Sequence, residues 1–471
     1  MSSLRRALAS VLVALGILAA SAGPALAHAT LLGSAPSASQ LRVDEETKQV
    51  VLTFSEAVQI VNRSDVSVVG TRGYRIDKGN AYTLPTDARK LVVPLRTPML
   101  PDSYTVRARV VSADSHSESL AIVFAVAGAP LSSPILAGSG GLTDTSPASV
   151  AARVAELAAL GLLLGLLGFR ALVWGPAMAV AASRGLSEDD RERALAHGQT
   201  LFWRSFWALA VLAGAAEAVV LAGKSAVVFH TGIVASLLHP AGAYHLVAAS
   251  RFGDLLGWRS AALFMLVAVA FLTWNAETGS APSAGRRWPA AAMAFLSVTA
   301  LTLLASQGHA SQAPLAPLSI AADAVHLGGA ALWVGGLPCL VAVLLRAPRV
   351  LPEGGRALAS ATLARFSKIA LLSVLVISVT GFARLAGELS SPSELWSTAY
   401  GRDVMLKAEL LLPILFLARR NRRVAAALAD GWTPSAARLK SVARSVQLEL
   451  MIAGGIIAVA ALLVAQVPGR V

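Results

Sequence analysis

Residues 104–126 read Tyr104-Thr-Val106-Arg-Ala108-Arg-Val110-Val-Ser-Ala-Asp114-Ser-His116-Ser-Glu-Ser-Leu120-Ala-Ile122-Val-Phe124-Ala-Val126. Two runs alternate apolar and polar residues, and both have the period of a half-buried β-strand. Between them lies Asp114-Ser-His116. In an extended segment residues i and i+2 project to the same side, so a carboxylate and an imidazole are predicted to share one site. A bare D-x-H also describes a polar turn with a solvated histidine, so its meaning depends on what surrounds it.

Upstream, Val50–Phe54, Val66–Val69 and Leu91–Leu95 are further strand candidates. Several short strands in about 100 residues predict an all-β sandwich or barrel over residues 28–127. Before them, Arg5 and Arg6 precede an apolar run from Ala7 to Ala20, and Ala25-Leu-Ala27 is a small-x-small cleavage pattern. Residues 1–27 therefore read as a secretory signal peptide. Cleavage after Ala27 makes His28 the first residue of the exported chain. Its free α-amine and ring Nδ1 can close one chelate on a metal ion, and such nitrogen donors suit Cu(II). Paired with an N-terminal histidine in a small β domain, Asp114 and His116 become candidate ligands.

Of the 471 residues, 55% are hydrophobic and 14% are charged, against roughly 25% charged in a typical soluble domain. The deficit lies downstream. Residues 128–149, rich in Gly, Ser, Pro and Ala, read as a flexible tether. Eight hydrophobic stretches follow, near 151–174, 201–223, 255–275, 289–307, 318–345, 366–387, 402–419 and 446–467. Each approaches the ~20 residues that span a bilayer. With the β domain exported, alternate loops should face the cytoplasm and be basic. One carries Arg184, Arg191 and Arg193, the next Arg286 and Arg287. The third carries Arg346, Arg349, Arg356 and Arg365, and the last Arg419, Arg420, Arg422, Arg423, Arg438, Lys440 and Arg444. The opposite loops offer little beyond Lys224, Arg251 and Arg402. Topology thus accounts for much of the net charge of +13, and nucleic acid is not an expected partner. Cys339, the single cysteine, excludes an intramolecular disulfide and reads as a small core residue.

Ionisable residues at membrane depth are costly and tend to be functional. Asp323 and His326 lie at i and i+3 on one helix face of the fifth stretch. Gly308-His309 just precedes that helix, so His309, Asp323 and His326 form a candidate copper or proton path at the outer mouth of the bundle. Glu156, Arg153 and Lys407 lie at similar depth on other helices and can compensate charge. Glu409 lies deeper, and Glu449 lies near the cytoplasmic end; either can continue a path or pair with a nearby cation. His230, His239 and His245 fall in a stretch read as an outer loop with interfacial pieces.

His28-Ala-Thr-Leu-Leu-Gly-Ser-Ala-Pro36, Val51-Leu-Thr-Phe-Ser-Glu56, Tyr104-Thr-Val106 and Val110-Val-Ser-Ala-Asp-Ser-His116 together resemble the CopC family of periplasmic copper-binding proteins. The resemblance covers nearly all of residues 28–127. It implies a cupredoxin-like, immunoglobulin-like Greek-key β-barrel whose Cu(II) ligands are His28, Asp114 and His116. Some members carry a methionine-rich Cu(I) loop. Here only Met99 follows the signal peptide within the module, which implies a Cu(II)-only site. Farther on, Gly308-His-Ala310, Asp323-Ala-Val-His-Leu-Gly-Gly-Ala-Ala-Leu-Trp333, Arg365-Phe-Ser367, Thr380-Gly381, Tyr400-Gly-Arg-Asp-Val-Met-Leu-Lys407 and Arg444-Ser-Val-Gln-Leu-Glu449 resemble the CopD family of inner-membrane copper proteins. This second resemblance is strongest over residues 306–450.

The expectation is a non-enzymatic copper homeostasis or resistance protein of the bacterial inner membrane. Its N-terminal domain lies on the periplasmic side, and an all-α bundle of about eight transmembrane helices occupies residues 150–471. Copper ion, the lipid bilayer and other periplasmic copper carriers are the expected partners. The β domain would capture Cu(II) and pass it to the bundle for import. No G-x-x-x-x-G-K-[ST] motif is present, so transport would be passive or coupled to another gradient. A membrane-anchored copper sensor or buffer without transport is the alternative, although eight spans exceed what an anchor requires. A membrane haem oxidoreductase ranks lower, since His326 is the one histidine well inside a stretch read as a span.

Overall fold

A computed structural model of the chain describes residues 29–61, 63–112, 117–134, 146–229, 231–278, 288–308, 316–351, 353–389, 391–429 and 435–465. It begins with eight strands: β1 Leu31–Ala35, β2 Gln49–Phe54, β3 Val58–Gln59, β4 Val66–Gly70, β5 Tyr82–Leu84, β6 Asp87–Pro94, β7 Ser103–Ser112 and β8 Ser117–Ala125. One sheet runs β1-β2-β6-β5; in the other, β3, β4 and β8 all pair with β7. Every pairing is antiparallel. The two alternating runs become the longest ladder, from Ser103↔Ala125 to Val111↔Ser117. Their apolar members Tyr104, Val106, Ala108, Val110, Ile122, Phe124 and Val126 join Val50, Leu52, Phe54, Leu91 and Val93 from the other sheet in one core.

β7 is not merely half-buried. Ser103 and Thr105, on its outer face, are also buried. The segment after β8 folds back there, and Ser132 N donates to Ser103 Oγ at 3.0 Å. Strands β1, β3 and β5 escape the alternation reading. β1 is a largely exposed strand of sequence Leu-Leu-Gly-Ser-Ala, and β3 has two residues.

The rest is helical: α1 Pro147–Phe169, a π-turn Arg170–Trp174, α2 Gly175–Ala182, α3 Glu188–Phe229, α4 Ile233–Leu238, α5 Ala241–Ala249, α6 Arg251–Thr278, α7 Trp288–Ala305, α8 Ala316–Val334, α9 Leu337–Val350, α10 Gly355–Glu388, α11 Glu394–Ser397, α12 Ala399–Ala429 and α13 Ala436–Ala465. Among the described residues, 6 helical stretches are long and apolar enough to cross a membrane: Pro147–Ala182, Glu188–Phe229, Arg251–Thr278, Ala316–Val350, Gly355–Leu385 and Ala436–Val464. Two of the eight expected spans fall short of that standard. The apolar helix Pro289–Ala305 is shorter, and α12 carries Arg402, Asp403, Lys407 and Glu409 within its first three turns. Large apolar side chains such as Trp258, Phe264, Phe295, Phe382 and Phe416 point outward from the bundle, which suits a lipid-facing surface.

The fifth stretch is not one straight helix. It breaks at Gly335-Gly336 between α8 and α9. There α1 and α8 touch through their backbones: a Cβ on Gly165 would overlap Ala331 O, and one on Gly335 would overlap Gly161 O. Only glycine permits that approach. The stretch between α3 and α6, read as an outer loop with interfacial pieces, contains the two short helices α4 and α5.

Candidate functional site

His28, Asp114, His116, His230 and His309 lie outside the described residues. The described residues that flank the first three share one end of the β domain. Thr30 N donates to Ser55 Oγ at 3.0 Å, and Ser55 N donates to Thr30 O at 2.9 Å. These bonds fix Thr30 at the C-terminal end of β2. From Ser55 to Val58 is at most about 10 Å of chain, and Val58 pairs with Ser112 at the end of β7. Across the same ladder Val111 faces Ser117. Glu56 is buried in the crossing, a carboxylate at this end that the sequence reading quoted but did not single out. Its signal is an acid two residues past the strand candidate Val50–Phe54.

That end of the β domain is the one seated on the helices. Val61 and Val111 pack in one apolar cluster with Ala152 of α1, Val220 and Val228 of α3, Leu246 of α5, and Phe252 and Leu256 of α6. At its edge Arg251 N donates to Gln59 Oε1 at 3.0 Å. Asp77, which bridges the two sheets, holds the β domain together elsewhere. Val68 N donates to its Oδ1 at 2.9 Å, and Arg75 grips both oxygens, Nη2 to Oδ2 at 2.7 Å. Burial alone would raise its pKa, but the Arg75 guanidinium and the Val68 N–H hold it below the ordinary carboxylate value.

One turn deeper than the docking cluster lies an ionic network in which every carboxylate oxygen has a donor. Arg259 of α6, fully buried, donates to Glu156 of α1, to Glu217 Oε1 of α3 at 2.7 Å, and to Gln307 Oε1 at 2.8 Å. Arg153 donates to the second oxygen of Glu156 at 2.6 Å, and Ser260 to that of Glu217 at 2.7 Å. Glu156 is thus occupied on both oxygens. Such a buried network is costly to form, and breaking it by removing one partner costs about 3–5 kcal/mol.

The second cluster joins α8 to α10. Asp323 and His326 share a face as their spacing predicts, and both are buried. Asp323 Oδ1 accepts from Arg384. His326 Nδ1 lies 2.9 Å from Thr380 Oγ1, while Thr380 donates its own proton to Val376 O at 2.7 Å. With its proton on Val376 O the hydroxyl can accept from Nδ1–H, and that tautomer leaves Nε2 a lone pair. Gly381 keeps the ring's flank clear, since a Cβ there would meet Cε1 at 3.4 Å. Thr380 and Arg384 were missed as site residues, although Thr380-Gly-Phe-Ala-Arg384 places them one turn apart in an apolar helix.

Glu409 is exposed on α12 and Lys407 is half-buried. Glu449 of α13 is buried and accepts from Asn421 Nδ2 at 2.7 Å. Among the described residues no group of three His, Cys, Asp or Glu side chains is arranged to hold a metal. Met99 sits in the β-domain core, and Cys339 packs between two apolar clusters of the bundle.

Residues 31–127 match the CopC domain family, and residues 360–463 match the family described as Copper resistance protein D. One chain thus carries a CopC domain followed by a CopD domain. Copper transport protein CutJ of Bacillus subtilis (strain 168) is 27% identical over 398 residues, which cover 83% of this chain and 67% of that protein. The crystal structure of CopC from Methylosinus trichosporium OB3b aligns at 26% identity over 21% of this chain and 93% of that one, with a TM-score of 0.19.

Proposed function

We propose that the chain imports copper across the bacterial inner membrane, and that its β domain is the donor. The signal peptide, residues 1–27, is removed, and His28 binds Cu(II) through its amine and ring together with Asp114 and His116. Residues 28–127 close as a cupredoxin-like Greek-key barrel on the periplasmic side, and residues 128–149 tether it. Residues 150–471 cross the membrane eight times, with α7 and α12 completing the count. The observation that carries this reading is the seat of the β domain. The strand ends that flank residues 113–116 pack on α1, α3, α5 and α6 through Val61 and Val111, so the donor end faces the acceptor.

His309, Asp323 and His326 then form the mouth of the path, with His326 Nε2 as the ligating atom. Asp323, held by Arg384, sets the carboxylate of that mouth beside the ring. Other periplasmic carriers would load the β domain.

Radiolabelled copper uptake into proteoliposomes tests this. Uptake should exceed that of protein-free vesicles and collapse in His326→Ala, and in a variant with one extra residue left before His28. The guanidinium of Arg384 already on Asp323 favours a second reading, a copper buffer whose β domain binds without onward transport. In that case the β domain still titrates with Cu(II), but uptake matches protein-free vesicles.

A further inference from the structure

The buried carboxylates described in the helical domain are Glu156, Asp190, Glu217, Asp323 and Glu449. Four of them meet a guanidinium: Glu156 and Glu217 share Arg259, Asp190 meets Arg193, and Asp323 meets Arg384. Glu449 does not. It is 3% exposed, and the group on it is the neutral amide of Asn421, which donates to Oε1. No ion pair forms on it among the described residues.

A second observation lies one turn away on the same helix face. Ser445 is 9% exposed, and its Oγ makes no hydrogen bond among the described residues. α13 packs against α12, α9 and α1. Of the cations on those elements, Arg153 of α1 is held by Glu156, and Arg402 and Lys407 lie at the opposite end of α12 from Asn421. Arg419, Arg420, Arg422 and Arg423 of α12, Arg346 and Arg349 of α9, and Arg438, Lys440 and Arg444 of α13 itself are exposed. Arg170, just past α1, is held by Glu277. Cys339 of α9 packs in the apolar cluster that also holds Val446 and Ala453.

An ionised carboxylate in such a place lacks the partner that would offset its desolvation. The neutral acid needs only an acceptor for its proton, and Ser445 Oγ is an unused acceptor one turn away. We propose that Glu449 is a proton-exchange site: its Oε2 holds a proton in the resting protein and gives it up to water at the arginine-rich end of the bundle. Its use as the counter-charge for a departing cargo cation rests on the proposed transport; the proton site itself does not.

Infrared spectra of the full-length protein in lipid, recorded from mildly acidic to alkaline pH, test it without copper. The wild type should show a protonated-carboxyl C=O band that shifts in D2O and fades as pH rises. Glu449→Gln should lack that band. Absence of the band from the wild type at mildly acidic pH, or its persistence in Glu449→Gln, would overturn the assignment. Should that variant fail to fold, Asn421→Leu provides the second arm. Loss of the donor to Oε1 should move the fading of the band to higher pH, and an unmoved band would count against the site. Because the readout uses no copper, a failure of transport and a failure of the proton site remain distinguishable.

Discussion

The Arg259 network and the His326 cluster sit in the same bundle and are built from the same residue types, yet they are finished differently. Around Arg259 each carboxylate oxygen of Glu156 and Glu217 has a donor. Around His326 the hydroxyl of Thr380 can take up one ring nitrogen, which leaves the other its lone pair. The Arg259 cluster, with every carboxylate oxygen taken although Gln307 Nε2 is not, ties α1, α3 and α6 together beneath the seat of the β domain. The His326 cluster joins only α8 to α10, and its imidazole is the kind of group that takes a ligand or a proton. The first is a clamp and the second a candidate site.

The largest effect should come from the Arg259 cluster. Arg259→Leu strands Glu156 and Glu217 without their partner and should cost about 3–5 kcal/mol, read as a large fall in the thermal unfolding midpoint in detergent. A variant that melts like the wild type would show that the network is not the clamp described here. Next comes the support of the His326 cluster. Thr380→Val removes the acceptor that holds Nδ1–H, and loss of such an outer partner typically costs about 10–100-fold in metal affinity or activity. Copper uptake should fall on that scale while the unfolding midpoint holds. Unchanged uptake would separate His326 from the cargo.

The smallest effect concerns a carboxylate–guanidinium pair that meets water, since the Arg75 side chain is 46% exposed. Asp77 has a pKa below its unfolded value. Its contribution is therefore full above the ordinary carboxylate value, near 4, and is lost as pH falls through the lower folded value. Asp77→Asn should cost about 1 kcal/mol at neutral pH and flatten that acid loss. Hydrogen exchange of β4 and β6 amides reports on it, because the described β domain contains no tryptophan. An equally steep acid loss in Asp77→Asn would place the titrating group elsewhere.

Much of this was legible along the chain because it is local. The period of residues 104–126 revealed the longest ladder, and hydropathy located the six helical stretches long and apolar enough to cross a membrane, though it also marked two that fall short. The spacing of Asp323 and His326 placed them on one face. What stayed hidden were relations between distant segments. Arg259 and Glu156 are 103 residues apart, and His326 and Thr380 are 54 apart; no periodicity couples such positions. Val61 and Val111 looked like ordinary strand residues, yet they form the seat of one domain on the other. The short strands β1, β3 and β5 exist through their neighbours' hydrogen bonds rather than through any pattern of their own.

The docked β domain also has a short leash. From Pro134, the last described residue after β8, to Ser146, at the cap of α1, twelve residue steps span at most about 40 Å. That is roughly one bilayer thickness. A domain lifted from its seat can tilt or turn, yet it stays within that reach of the cap of α1. The leash keeps its local concentration at its own bundle high, so return to the same seat competes well with diffusion away.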